Sequence, residues 1–360
     1  MPIINMIKVE LKLDWQVSPV LLGEVYMRIK ARPDRPCYIL THDLGDRIES
    51  LRCLGLSTPD YDDDFYQIFR SGLERRVQSF HPNAELKNLS VRGLSEKMWA
   101  EAVRRQSVAG NAVIVSSVND VSSPSRGYIL EINRIYNFRG VHIGFGPRPS
   151  NFSLNEQIQA FSRVALEHSV ILLEDGAGSG KTVIYILELL KAKGLHVSTI
   201  ILGFSSKKGI EAIRGVFNGE IVTIEGVFEV IDWMPDHDFI PFAPNCGRVF
   251  GVKFGSEACP IYTHDGLAFA VPYIRPFGDP NAWATIPENE VGEFSHYCLR
   301  QSLALFVRIE EMNGNKHLRI RDIMGVHSGG RIPTSIYSES FPHPNTRVTD
   351  YLKSFSHLVL

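Results

Sequence analysis

Cysteine is scarce and dispersed: Cys37, Cys53, Cys246, Cys259 and Cys298 form no C-x-x-C pair. That argues against a disulfide framework or a zinc ribbon and predicts reduced thiols in a cytoplasmic protein. No apolar run reaches the length of a membrane span, and residues 1–8 lack the apolar core and cleavage site of an export signal. No membrane association is expected. Neither sign of charge dominates. With 38 basic and 40 acidic residues the formal net charge is −2, so nucleic-acid binding is not indicated. What is present is an ordinary composition, 44% apolar over 360 residues, enough for two domains or one core with large additions.

The chain is organised around residues 170–194. Val170, Ile171, Leu172 and Leu173 read as a buried parallel strand. Glu174 and Asp175 stand at its carboxyl end, followed by Gly176, Ala177, Gly178, Ser179, Gly180, Lys181 and Thr182. An apolar-rich helix then runs to Gly194, the residue type that closes a helix. Small residues let the backbone turn tightly, so that successive N–H groups point at an anion. The helix N-terminus adds its partial positive charge. Chemically, this is a phosphate cradle with two carboxylates beside it.

Two families use such a cradle. The P-loop nucleoside triphosphatases require G-x-x-x-x-G-K-[ST]. Gly180, Lys181 and Thr182 fit, but Asp175 stands where the first glycine belongs and would face the phosphates. The stretch more fully resembles the motif of the type I phosphoribosyltransferases: an apolar strand, two acids, three small or variable residues, then Thr/Ser-Gly-x-Thr. Here those are Glu174-Asp175, Gly176-Ala177-Gly178 and Ser179-Gly180-Lys181-Thr182, and the likeness extends through the strand expected over 196–204.

The resemblance implies a division of labour. Glu174 and Asp175 would be the catalytic pair, holding the ribose hydroxyls of 5-phosphoribosyl 1-pyrophosphate (PRPP) directly or through Mg²⁺. Residues Gly176 to Thr182 would bind the sugar's 5′-phosphate through backbone N–H groups and the Ser179 and Thr182 hydroxyls. Some purine-salvage members carry an acid at the position of Gly178, so its absence leaves base activation unassigned. The family's pyrophosphate loop would fall within 116–127, with Ser123, Arg126 and Gly127. A hood over the acceptor would come from 232–242. There Trp233 or Phe239 can stack on a ring and Asp238 can read a ring nitrogen or amine.

The rest of the chain reads as alternating elements. Residues 7–13 predict an edge strand and 37–40 a short strand. The following Thr41-His42-Asp43 reads either as a ligand-facing cluster or as a capped loop before a helix over 47–54. Asp62, Asp63 and Asp64 read as a solvated start to a helix over 65–79, because consecutive acids cannot all face one ion. Ser95 is the expected cap of a helix to 109, with Met98, Trp99, Ala102 and Val103 on its buried face. Strands follow at 111–115 and 141–145. Ser153 and Glu156 make a capping box, and Leu154, Ile158, Phe161, Ala165 and Leu166 form its apolar stripe. The pair Lys207 and Lys208 reads as a helix start. Asp236-His237-Asp238 suggests metal ligands, but alternate residues of an extended segment point apart, so a stiff loop is the stronger reading. A long amphipathic helix is predicted over 290–308 and an extended tail from 329.

Together these predict an α/β protein with a doubly wound, mostly parallel sheet, divided as 1–108, 109–250 and 251–360. The expected function is transfer of ribose 5-phosphate from PRPP with Mg²⁺, or sensing of PRPP or a nucleotide. A P-loop-type ATPase is the alternative, with 228–232 as its metal-holding strand despite Glu229 interrupting the apolar run. A homo-oligomer or a protein partner would be reached through the terminal extensions.

Overall fold

The buried run at 37–40 forms β1 (Cys37–His42) in the computed structural model, six residues with no exposed side chain. After it come α1 (Leu44–Glu49), a 3₁₀ turn over Ser50–Leu54, α2 (Asp64–Phe80), β2 (Glu85–Ser90) and α3 (Val91–Ala109). The structure describes residues 35–360 apart from 111, 119–126, 150–151, 256, 265, 325–329, 338–341 and 356–360, and residues 35–360 form one compact unit. The strand expected over 7–13 lies outside the described residues. Asp63 caps α2, its Oδ1 accepting from the Phe65 amide at 2.8 Å, as a solvated helix start should. Helix α3 begins four residues before the expected Ser95. Ser90 is the residue that caps it, accepting from the Gly93 amide, and Ser95 is buried inside the helix.

The central sheet is parallel throughout. It is built from β3 (Val113–Ser116), β4 (Tyr128–Ile129), β7 (Val170–Ala177), β8 (Val197–Ser206), β9 (Glu220–Thr223) and β10 (Val227–Phe228), in the order β10-β8-β7-β3-β4 with β9 also on β8. Side chains of β7 alternate between two cores. Val170 and Leu172 face α4 (Leu154–Ala165) and α5 (Lys181–Ala192). Ile171 and Leu173 face α3 and β1. The expected α/β class with mostly parallel sheets is therefore present, with helices on both faces of the central sheet. The capping box at Ser153 and Glu156 forms as the sequence predicts.

Strand β7 is longer than the apolar run. It continues to Ala177 because β8 continues beside it, pairing Glu174 with Leu202, Gly176 with Phe204 and Ala177 with Ser205. Glu174 and Asp175 thus lie inside the paired segment. Only three residues, 178–180, connect it to α5, whose N-cap is Gly180 at φ 72°. The loop is held from below by α6 (Lys207–Arg214). The Ser205 hydroxyl donates to the Ala177 carbonyl at 3.1 Å and the Ser206 hydroxyl to the Gly178 carbonyl.

Two further sheets enclose the carboxyl end of β7. In one, β1 lies between β2 and β11 (Val230–Pro235), all parallel. The other is mixed: β5 (Ile132–Tyr136), β6 (His142–Pro147), β12 (Arg248–Phe254), β13 (Glu257–Pro260), β14 (Ala268–Val271) and β15 (Arg331–Pro333). Strand β6 belongs there and not beside β3. The boundary expected at 250 falls within β12, and the one at 108 a residue before the end of α3. The long helix α7 spans Val291–Met312. The tail, expected to be extended, contains β15 and the helix α8 (Val348–Phe355), whose Val348 and Leu352 are buried in the core that includes α7.

Candidate functional site

The carboxyl ends of β7, β1 and β11 converge with β5, β12 and β15 on a cavity of about 220 Å³. This is the end of a parallel sheet where ligands collect in α/β proteins. Glu174, Asp175 and Thr182 line the cavity. The Glu174 side chain is 7% exposed and accepts from the Ser117 hydroxyl. Burial and the adjacent Asp175 push its carboxyl up to about 8, against the Ser117 hydrogen bond, Arg134 and Arg148. Asp175 is half-buried, its Oδ1 accepting from the Gly176 amide at 2.8 Å, and burial raises its carboxyl as well.

Arginines and carboxylates share the cavity's lining. Arg47, Arg134, Arg148, Arg248 and Arg331 all line it. Arg134, from β5, reaches Thr182 Oγ1 at 3.3 Å and borders two neighbouring cavities, one containing Ser179 and Lys181, the other Gly178, Ser179, Lys207 and Lys208. His142 is held below its ordinary value by burial and then by Arg134 and Lys181, which reports the positive field around the loop. The Arg248 guanidinium lies 4.3 Å over Trp283, 4.7 Å over Tyr136 and 5.0 Å over Tyr273, a cage that fixes a charged fork in place. Arg331 is anchored by donating to the carbonyls of Asn245 and Gly247 at 2.5 and 2.7 Å.

Thr41, Asp43, Trp233, His237 and Asp238 line the same cavity. The Trp233 indole N–H donates to Thr41 Oγ1 at 3.1 Å and its ring meets Phe204 edge-on. Asp238 accepts from the Gly247 amide at 2.7 Å, and burial raises its carboxyl. Asp43 stands at the start of α1 but its side chain makes no cap hydrogen bond. Asp236 does that work instead: its Oδ1 accepts from the amides of Asp43 and Leu44, both at 2.9 Å. The Asp43 carboxylate is released to bind His237 Nδ1 at 2.6 Å and the Arg47 guanidinium at 2.9 Å. Burial opposes ionisation of Asp43, but His237 and Arg47 hold it well below the usual carboxylate range.

Of the residues the sequence singled out, Glu174, Asp175, Thr182, Trp233 and Asp238 meet in this cavity, and Gly178, Ser179 and Lys181 border the adjoining ones. Gly176 packs under the Phe204 ring, where a Cβ would lie 2.5 Å from it, and Ala177 is buried. Phe239 is elsewhere, fully buried and edge-on to Phe294 at 5.1 Å. Gly127 lies against Ile114 and Trp99, beside a separate cavity with Ala112 and His168, while Ser123 and Arg126 fall outside the described residues. Residues 236–239 form a 3₁₀ turn, not the extended segment expected, so Asp236 and His237 come to the same side. With Asp43 they bring ligand-type atoms within 4.8 Å of one another, a spacing a metal ion can use. Asp43 is already engaged by His237 and Arg47 and Asp236 Oδ1 by two amides, while the buried Asp236 Oδ2 has no hydrogen-bond partner and lies 3.6 Å from Arg70 Nε. The arginines of the cavity wall escaped sequence reasoning because they come from five separate segments with no shared motif. His42 is buried, its Nδ1 3.4 Å from Asp236.

No family model matches the chain, and no curated protein matches it. Among solved structures, the protein TT1426 from Thermus thermophilus is matched over 36% of this chain and 83% of that one, at 11% identity and a TM-score of 0.24. A likeness of that size carries no argument about fold or function.

Proposed function

We propose that the chain binds PRPP as its magnesium complex and transfers ribose 5-phosphate to an acceptor held against the Trp233–Asp238 wall. The observation that carries this reading is that Glu174, Asp175 and Thr182 line a single arginine-lined cavity, with the N-terminus of α5 beside them. Carboxylates suit sugar hydroxyls and Mg²⁺, which takes oxygen ligands and stays partly hydrated. The first turn of α5 presents unpaired amides for one phosphoryl group. The arginines suit a departing pyrophosphate, whose charge they would balance as the anomeric carbon gains oxocarbenium character.

The ATPase reading is less well supported. The three-residue connection at 178–180 is short for a loop that must circle a triphosphate. Strand β11, which carries Asp232, pairs with β1 in another sheet and not with β7. A PRPP sensor would use the same cavity, and is separated from a transferase by pyrophosphate release.

Titration calorimetry and thermal melting test the proposal. PRPP with Mg²⁺ at one hundred times its dissociation constant should stabilise the protein by about 2.7 kcal/mol. Glu174→Ala combined with Asp175→Ala should abolish that shift in a protein that still folds, whereas Lys181→Ala should retain binding. Stabilisation by ATP with Mg²⁺ and none by PRPP would overturn it.

A further inference from the structure

The proposed transfer leaves one chemical requirement open: the acceptor must lose a proton as it attacks, and the position in the loop that carries an acid in some relatives of the motif is Gly178, with open space around it. The same cavity holds a group arranged for that task. His237 stands on the 3₁₀ turn that follows β11, and Asp43 follows the neighbouring parallel strand β1. Both side chains line the cavity together with Glu174 and Asp175. The Asp43 carboxylate is fixed on its other oxygen by the Arg47 guanidinium, with Nε at 3.0 Å and Nη2 at 2.9 Å. Its backbone is fixed by Asp236, which is fully buried. A carboxylate that only accepts, 2.6 Å from Nδ1, requires the proton of the neutral ring to sit on Nδ1. Nε2 is then the basic nitrogen. It lies 3.5 Å from Asp238 Oδ1, an oxygen already taken by the Gly247 amide.

We propose that His237 is the general base of this cavity and that Asp43 is its positioning residue. This rests on the transferase reading above. As the acceptor's N–H or O–H lone pair forms its bond to the anomeric carbon, the bond from that carbon to pyrophosphate breaks and the electron pair leaves with pyrophosphate. The acceptor's proton passes to His237 Nε2. The resulting imidazolium lies between the Asp43 and Asp238 carboxylates, with Arg47 and Arg331 balancing them from behind and Arg70 and His42 flanking Asp236 below. The acceptor class this selects is a neutral compound with an ionisable N–H or O–H small enough to reach between Trp233 and Asp238. Burial opposes charging of His237, but Asp43 and Asp238 raise its value overall, so the base form should grow as pH climbs.

The test uses full-length protein, PRPP with Mg²⁺, and a mixture of free nucleobases, with pyrophosphate release as the readout. His237→Gln should lower the release rate by roughly 100- to 10,000-fold while PRPP affinity by calorimetry stays unchanged. Asp43→Asn should move the rising limb of the pH–rate profile to lower pH, which loss of a merely structural contact would not do. In the wild-type protein, nitrogen NMR of the histidine rings at a pH high enough to deprotonate His237 needs no variant and should show it as the Nδ1–H tautomer. Retained release by His237→Gln, or an Nε2–H tautomer, overturns the base assignment and leaves PRPP binding standing. PRPP binding without release in any mixture overturns it in favour of a sensor. Absence of PRPP binding overturns both it and the reading beneath it.

Discussion

Glu174 joins the free protein's stability to its ligand chemistry. The fold keeps its carboxyl neutral well above the ordinary range, with a value of about 8 against 4.5. The favourable contribution of the neutral form is therefore complete below pH 4.5 and is lost as pH rises through about 8. Each unit of that difference is worth about 1.4 kcal/mol, so the whole effect is a few kcal/mol. Glu174→Gln cannot ionise. Its melting temperature should fall less than that of the wild type across this interval, and parallel curves would show that burial does not govern the group. If PRPP and Mg²⁺ require the carboxylate, binding should also expel a proton near neutral pH in the wild type and none in the variant. The identity of this residue was legible in the sequence because it belongs to a contiguous motif. His237 was visible only as part of an acidic tripeptide. Its partner Asp43 lies almost two hundred positions away, and only the parallel pairing of β1 with β11 brings the two together.

At the scale of elements, the loop's shape depends on α6 as much as on its own glycines. A Cβ on Gly209 would lie 2.2 Å from the Ala177 carbonyl oxygen and 2.8 Å from that of Gly178, so α6 and the loop must part to admit it. Gly178, by contrast, has open space where its Cβ would go. Gly209→Ala should therefore cost about 1–3 kcal/mol and weaken PRPP affinity, although Gly209 would touch no ligand. Gly178→Ala should change stability by less than about 0.5 kcal/mol. Chemical denaturation and calorimetry on the pair check this, and equal effects from the two would show that the close packing is not what shapes the loop. Local signals are legible: the capping box at Ser153, the acidic start of α2 and the strand–loop–helix order at 170–192 each depend on neighbours in sequence. The extension of β7 through Ala177 was not legible because its cause is the length of β8. The turn at 236–239 is not legible in the sequence, because proline on either side resembles a stiff extended loop until tertiary contacts bend it.

For the whole molecule, the cavity is composite. Asp43 comes from the first third of the chain, Glu174 and His237 from the middle, and Arg331 from the last. The same is true of the core. The face of the central sheet formed by Ile171, Leu173, Ile201 and Phe204 is covered by Leu94, Met98 and Ala102 of α3 and by Cys37 and Ile39 of β1. Residues 109–250 expressed alone would uncover those four large side chains, each worth about 1.5–3 kcal/mol when buried. That loss is comparable to the roughly 5–15 kcal/mol that typically holds a domain folded. The fragment would also lose the β1 partner of β11 and most of the strands beside β12. It should lack a cooperative melt, bind hydrophobic dyes and fail to bind PRPP, while the full chain melts sharply and binds. A sharply melting fragment with full-chain affinity would mean that the central sheet carries PRPP recognition unaided. The outer walls would then serve the acceptor alone, and the dependence of the loop on its surroundings would end at α6.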